Sequence, residues 1–420
     1  MREIKPGVGR DKITVTLPGS KSYSHRLLIA AALADGESRI TGLLRSEDTL
    51  LTRDALRAFG AVIEDEGEAM VVRGTDGRLR ACTEPIYLAN SGTSMRLLTG
   101  IAALGQGETV LTGTKRMGER PIEDLLVAMR QAGVSAECVH PTQCPPVKVK
   151  GGDFKGGAVS LDCRISSQFL SSLLLAAPYA REGLSVTVAG ELVSKPYVEI
   201  TLDIMARFGI EVTHDNFQVF RVAPHQSYRP GTYHCEPDGS NASYFWAAAA
   251  VTGKSVKVRH VTRNSRQGDV GFVDVLEKMG CTVVHEEDGT TVTGGELSAV
   301  TVDMSLMPDV VPTLAVVAAH AKGTTVIQNV AHLREKECDR LGCVATELRK
   351  MGIDAVAGES SLEITGGALS GSEVETYDDH RMAMSFSIAG LTTPGVRILD
   401  PGCVKKSFPT YWDVFDTLQS

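Results

Sequence analysis

Apolar residues fall in two alternating kinds of run along the chain. The first kind is nearly continuous: 27–33, 97–104, 170–177, 244–251, 310–319 and 382–391. Each is opened by a polar or glycine-bearing turn and closed by a glycine, after which a short β-like run follows. Examples are Thr109–Leu111, Val186–Val188, Val256–Val258 and Thr325–Ile327. The closing glycines, at 36, 107, 183, 253, 323 and 395, stand roughly 70 to 76 residues apart. A helix that is apolar nearly all round is buried rather than half-exposed, so these six runs predict interior helices.

The second kind is amphipathic and ends in a hydrophobe–Gly turn: Arg57–Gly60, Arg130–Gly133, Arg207–Gly209, Glu277–Gly280 and Arg349–Gly352. A glycine there suits the left-handed residue that closes a helix. Alternating, strand-like segments follow each one: Ala69–Val72, Val147–Val149, Val219–Val222, Thr290–Val292 and Leu362–Ile364. The repeat is therefore β-α-β-α-β-β, about 70 residues long, and six copies fill the 420 residues. Fixed self-similarity of this kind marks a repeat architecture. The sixth copy lacks its last strands, and the N-terminal segments Arg2–Ile4 and Ile13–Leu17 are expected to complete it. Three copies per domain gives residues 1–16 with 238–420 as one domain and 17–237 as the other. The fold class is α/β, with helices inside and sheets outside, unlike a doubly wound sheet.

Composition narrows the function. A charged fraction of 22% and a hydrophobic fraction of 43% are those of a globular protein. The net charge of −8 argues against a broad nucleic-acid face, although a local anion site remains open. Nine scattered cysteines show no CxxC pair and no zinc-type spacing, which reads as reduced thiols and no metal. Apolar stretches fall short of the roughly 20 residues that span a bilayer, and the first residues have no signal-peptide core. A cytoplasmic monomer, with no membrane and no nucleic-acid partner, is the expectation.

Chemistry collects where the buried helices begin. Pro18-Gly19-Ser20-Lys21-Ser22-Tyr23-Ser24-His25-Arg26 leads into the first apolar run. A helix start exposes N–H groups and the positive dipole end, and two cations beside it make a seat for phosphate or carboxylate. It is a poor match to the Walker A loop, because Ser20 stands where that loop needs glycine. The other starts carry Asn90, Gly92 and Arg96; Ser166-Ser167-Gln168; Asn241; Asp309; and Asp379-His380-Arg381. Capping explains the Ser, Asn and Asp. It does not explain Lys21, Gln168, His380 or Arg381. If the helices of each domain run parallel, their positive ends face one interdomain cleft. Charge is also dense at Arg116–Pro121, at His332–Arg340 and at Lys405-Lys406. Hydrogen bonds to charged groups contribute about 1.5–3 kcal/mol and a helix dipole about 0.3–1, so the side-chain cations would dominate affinity for a multiply charged ligand pair. Asp309 and Glu337, acids among these cations, are candidates for proton transfer.

Nine ordered motifs span the chain: Pro18-Gly-Ser-Lys-Ser-x-Ser-x-Arg26, Asn90-x-Gly-Thr-x-x-Arg96, Arg120-Pro121, Ser166-Ser-Gln168, Ser194-x-Pro-Tyr197, Pro308-Asp309, Lys336-Glu-x-Asp-Arg340, Asp379-His-Arg-Met-Ala-Met384 and Lys406-x-Phe-Pro409. With them the chain resembles the enolpyruvyl transferase superfamily and, within it, the 3-phosphoshikimate 1-carboxyvinyltransferase (5-enolpyruvylshikimate-3-phosphate synthase) family. The resemblance implies a two-domain inside-out α/β fold with the active site in the interdomain cleft. It implies transfer of the enolpyruvyl group of phosphoenolpyruvate to the 5-hydroxyl of shikimate 3-phosphate through a tetrahedral intermediate, without metal or other cofactor. It places Lys21, Ser22, Arg26, Ser166, Ser167, Gln168, Ser194, Asp309, His332 and Lys336 on shikimate 3-phosphate. Phosphoenolpyruvate falls to Lys21, Gly92, Arg120, Gln168, Arg340, Arg381 and Lys406. Asp309, Glu337 and Lys21 are the implied catalytic residues, and glyphosate the implied inhibitor.

Three positions depart from the family pattern: His332 replaces the usual Asn, His25 stands where Asn is common, and Lys405 duplicates the cation beside Lys406. The sister family acting on UDP-N-acetylglucosamine carries a loop cysteine where this chain has Lys115. A non-catalytic anion-binding protein is the alternative of another class, which the retained Asp309 and Glu337 oppose.

Overall fold

The computed structural model describes residues Met1–Gln419. Its contacts divide the chain into Met1–Pro18 with Glu236–Ser420, and the continuous segment Gly19–Cys235.

In the continuous unit, three four-stranded sheets repeat one pattern. Their strand orders are 232–234, 37–41, 69–73, 62–66; then 86–87, 107–112, 147–151, 135–138; then 157–162, 184–189, 219–222, 212–215. The first pair of each sheet is parallel and the other pairs are antiparallel. The second copy shows the full unit in chain order: Ile86–Tyr87, helix Gly92–Ile101, Gly107–Thr112, helix Glu123–Gln131, Ser135–Cys138, Val147–Gly151. The six closing glycines all adopt positive φ, from +69° at Gly183 to +130° at Gly36, which ties that residue type to the repeat.

The split unit uses the same pattern with borrowed edges. Strand Lys12–Val15 lies parallel to Ser255–Arg259 at the edge of the fourth sheet. It therefore does not help complete the sixth copy as expected. The reason is that Thr232–His234, which precedes the fourth copy in sequence, already pairs with Glu37–Thr41. The fourth sheet then takes its parallel edge from the incoming N-terminal chain. Arg2–Glu3 alone completes the sixth sheet, antiparallel to Arg397–Ile398.

The helices Lys21–Leu33, Gly92–Ile101 and Gln168–Ala176 are buried almost all round, and so are Gly239–Thr252, Val311–Ala318 and His380–Ala389. Strands alternate buried and exposed residues, as in Leu184–Ala189, which is the pattern of a sheet with one solvated face. Each unit is thus helix-inside and sheet-outside. A buried hydroxyl left unpaired costs roughly 1–3 kcal/mol, and the interior helices settle theirs on one another. Thr313 Oγ1 stands 3.3 Å from Ser243 Oγ and 3.1 Å from Ser385 Oγ, so one hydroxyl ladder crosses three helices. In the other unit Ser172 Oγ donates to the Arg96 carbonyl at 2.7 Å and accepts from Gly100 N at 3.0 Å. A Cβ on Gly100 would lie 2.4 Å from that oxygen, so only glycine permits the approach. No helix among the described residues is long and apolar enough to cross a membrane.

Candidate active site

In the continuous unit, Ser20 rather than Ser22 caps helix Lys21–Leu33, accepting from Tyr23 N at 3.5 Å. That places Lys21 at the first helical residue, where its Nζ meets Asp48 Oδ2 at 3.3 Å. Asp48 was not legible as a site residue. It lies in the first turn of the helix Glu47–Ala58, where acids are common for dipole reasons, so nothing in the sequence set it apart. Arg26 is 1% exposed. Its guanidinium donates to Thr201 Oγ1 at 2.7 Å, to the Tyr197 carbonyl at 3.1 Å and to the Ser22 carbonyl at 2.9 Å. Burial pushes its pKa down to about 10. Ser194 opens the neighbouring helix Lys195–Arg207 with a left-handed backbone, φ +53°.

A second cluster forms at the next two helix starts. Ser91, not Asn90, caps helix Gly92–Ile101. Asn90 instead accepts Arg120 Nη1 through both its carbonyl, at 3.0 Å, and its side-chain oxygen, at 3.2 Å. Gly92 lies directly against that guanidinium. Gln168 spans the pair of helices: its Nε2 donates to Thr93 Oγ1 at 3.0 Å and its Oε1 accepts from Arg96 at 3.2 Å. Arg96 also reaches Ser166 Oγ at 3.4 Å and lies 5.4 Å above the Phe169 ring. Ser167 is buried beside them.

The split unit holds the denser cluster. Asp309 does not cap a helix, contrary to the simplest structural expectation; it sits inside the short turn Pro308–Val310. Its carboxylate is occupied instead by cations. Arg340 Nη1 reaches Oδ1 at 3.0 Å, Arg381 Nη2 reaches Oδ2 at 2.7 Å, and Lys336 Nζ lies 4.0 Å from Oδ1. Arg340 also donates to Glu337 Oε2 at 2.7 Å and to Asp379 Oδ2 at 2.7 Å. Burial alone would lower the Arg340 pKa, but Asp379, Glu337 and Asp309 outweigh it and hold it above its ordinary value. Asp379 caps helix His380–Ala389 by accepting Arg381 N at 2.9 Å.

His332 shares this field. Its burial, reinforced by Lys336 and opposed by Asp309, pushes its pKa down to about 3, so the ring is neutral near pH 7. Asp269, which the sequence did not single out, accepts from Ser240 Oγ. Burial and then the Asp309 charge raise its pKa to about 7. Lys406 is buried and Lys405 exposed, which favours Lys406 as the functional cation. Asn241, expected at a helix start, lies inside Gly239–Thr252, whose cap is Asp238. Among the described residues no group of three or more His, Cys, Asp or Glu forms a metal-ligand set, and no disulfide is present.

Six helix-inside repeats, cation-rich helix starts in both units, and three carboxylates around one buried guanidinium make a protein suited to handling anions. The profile described as EPSP synthase (3-phosphoshikimate 1-carboxyvinyltransferase) matches residues 7–415. A 3-phosphoshikimate 1-carboxyvinyltransferase of Enterobacter sp. (strain 638) is 46% identical over 405 residues, covering 95% of each chain. One from Sulfurovum sp. (strain NBC37-1) is 46% identical over 413 residues, covering 97% of this chain and 96% of its own. The solved EPSP synthase of Acinetobacter baumannii superposes with a TM-score of 0.83 at 31% identity, over 99% of this chain and 98% of its own. The chain belongs to the EPSP synthase family. It is an enzyme of the shikimate pathway that transfers the enolpyruvyl group from phosphoenolpyruvate to shikimate 3-phosphate.

Proposed function

We propose that the two substrates draw on all three clusters. Lys21, Ser22, Arg26, Ser166, Ser167, Gln168, Ser194, Asp309, His332 and Lys336 hold shikimate 3-phosphate. Lys21, Gly92, Arg120, Gln168, Arg340, Arg381 and Lys406 hold phosphoenolpyruvate. The 5-hydroxyl oxygen attacks C2 as C3 gains a proton, giving a tetrahedral intermediate. Loss of phosphate and of a proton from C3 then restores the double bond. Glu337 gives the C3 proton and later takes it back, while Asp309 receives the hydroxyl proton. Lys21 and the arginines balance the charge of the intermediate, the electrostatic part of the catalysis.

The observation that carries this reading is the arrangement around Arg340, whose guanidinium donates at 3.0 Å to Asp309 and at 2.7 Å to Glu337. The two carboxylates assigned to proton transfer thereby flank one cation of the kind suited to bidentate anion recognition. His332, neutral by virtue of its buried setting, retains a hydrogen-bonding capacity comparable to that of the Asn usual at this position. The reading includes action as a cytoplasmic monomer, with no cofactor and with glyphosate as inhibitor. Phosphate release with shikimate 3-phosphate against UDP-N-acetylglucosamine as acceptor tests it. Turnover is expected only with the former, and turnover with the latter would overturn the acceptor assignment.

A further inference from the structure

The two residues before Asp379 carry an unusual backbone. Tyr377 and Asp378 both take left-handed φ, +54° and +55°. Neither is glycine, and such conformations persist only where the surroundings impose them. Two things hold the turn: Asp379 N donates to the Thr376 carbonyl at 2.8 Å and closes it, and Glu347 grips it from the neighbouring helix. This carboxylate is fully buried on the helix Arg340–Lys350. It accepts the Tyr377 hydroxyl at 2.6 Å and the Glu375 backbone N–H at 3.2 Å. Lys350 Nζ neutralises it, 2.8 Å and 3.0 Å from its two oxygens. Burial and the Glu347 carboxylate both raise the Tyr377 pKa, so the phenol remains a donor.

The same helix holds the same segment at a second point. Arg340, at its first residue, donates to Asp379 at 2.7 Å through Nε and at 3.3 Å through Nη2. Glu347 lies two turns further on, a rise of roughly 10 Å. Two grips at that separation fix both the position and the tilt of Tyr377–Asp379 against the helix. Asp379 then caps Arg381 N at 2.9 Å, and Arg381 and Arg340 arrive at opposite oxygens of Asp309. We propose that Glu347 and Tyr377 are positioning residues: they clamp the strained turn and so set the spacing of Arg340 and Arg381 as a phosphoenolpyruvate-binding pair.

The inference rests on the assignment of those arginines to phosphoenolpyruvate, so the test carries a control for it. Steady-state kinetics of full-length Tyr377→Phe should show the Michaelis constant for phosphoenolpyruvate raised roughly tenfold, below the hundredfold that a 1 Å misplacement can produce. The constant for shikimate 3-phosphate should stay within about twofold, since a clamp on this arginine pair acts on one substrate. Adding Asp378→Gly, which takes positive φ without strain, should recover much of the loss. Arg381→Lys, which removes bidentate recognition, should raise the phosphoenolpyruvate constant in its own right. If Arg381→Lys changes nothing, the substrate assignment falls and the clamp with it. If Arg381→Lys acts but Tyr377→Phe does not, or Tyr377→Phe raises both constants equally, or glycine gives no recovery, the clamp alone is overturned.

Discussion

A Cβ on Gly92 would stand 2.4 Å from Nη2 of Arg120 and 2.7 Å from its Cζ. The glycine is therefore a seat for a guanidinium rather than open space beside an anion. Gly92→Ala must push Arg120 aside, and the side chain gives way because its far end is flexible. Its bonds to Asn90, at 3.0 Å and 3.2 Å, would be disturbed. Losing part of one charge-assisted hydrogen bond corresponds to about tenfold in affinity. The expected result is an inhibition constant for glyphosate raised about tenfold or more, with a smaller rise in the phosphoenolpyruvate Michaelis constant. Dose–response curves at fixed substrate check it, and identical curves for the two proteins would refute the contact argument.

Glu337→Gln keeps the shape of the side chain and its contact with Arg340 while removing the acid. Substrate binding should persist. Turnover should fall by roughly 10²–10⁴-fold, the usual contribution of a general acid. Single-turnover phosphate release separates the two, and a variant that turns over normally would leave C3 protonation to another group.

Asp309 occupies one donor each of Arg340 and Arg381. Asp309→Ala frees those donors for an anionic ligand while removing a proton acceptor. Phosphoenolpyruvate affinity measured by titration should hold or tighten, while kcat drops by about a hundredfold or more. A tenfold weaker dissociation constant with kcat preserved would reverse the roles assigned to this carboxylate.

His332 gives a pH signature. Its folded pKa is about 3, against about 6.5 in an unfolded chain. Below pH 6.5 the unfolded chain therefore binds a proton that the folded protein refuses, and stability is lost as pH falls. Above pH 6.5 the group contributes no dependence. Between pH 7 and pH 5 the wild type should lose about 2 kcal/mol relative to His332→Asn. Asp269 titrates in the same region with the opposite sign, but it is present in both proteins and cancels in the difference. Urea midpoints at the two pH values measure this, and parallel curves would show that the ring titrates normally.

Repeat length, the order of elements within the repeat and the identity of the interior helices were legible because each is written locally, in an apolar run, a glycine and an alternating segment. Partners distant in sequence were not. Asp48 meets Lys21 across 27 residues, and Arg340 meets Asp379 across 39. Capping chemistry also misled by one to three residues. Ser20, Ser91 and Asp238 perform the caps, which releases Ser22, Asn90 and Asn241 from that duty. The destination of strand Lys12–Val15 depended on which edge was vacant, a property of the finished sheets and not of the strand. Glu347 read as one more charge on an amphipathic helix, because nothing local distinguishes a buried carboxylate from a solvated one.

The borrowed edges bear on how the chain is made. Domains generally fold as units, the earlier ones first during synthesis. Gly19–Cys235 contains all of its own strands, so it has every partner it needs while the ribosome is still translating the remainder. The other unit does not. Its strand Arg2–Glu3 is made before Gly19–Cys235 and must wait for Arg397–Ile398, made after it. An early part of the polypeptide is thus sealed by a late one, and a message truncated between residues 235 and 397 yields one finished unit joined to one that cannot close.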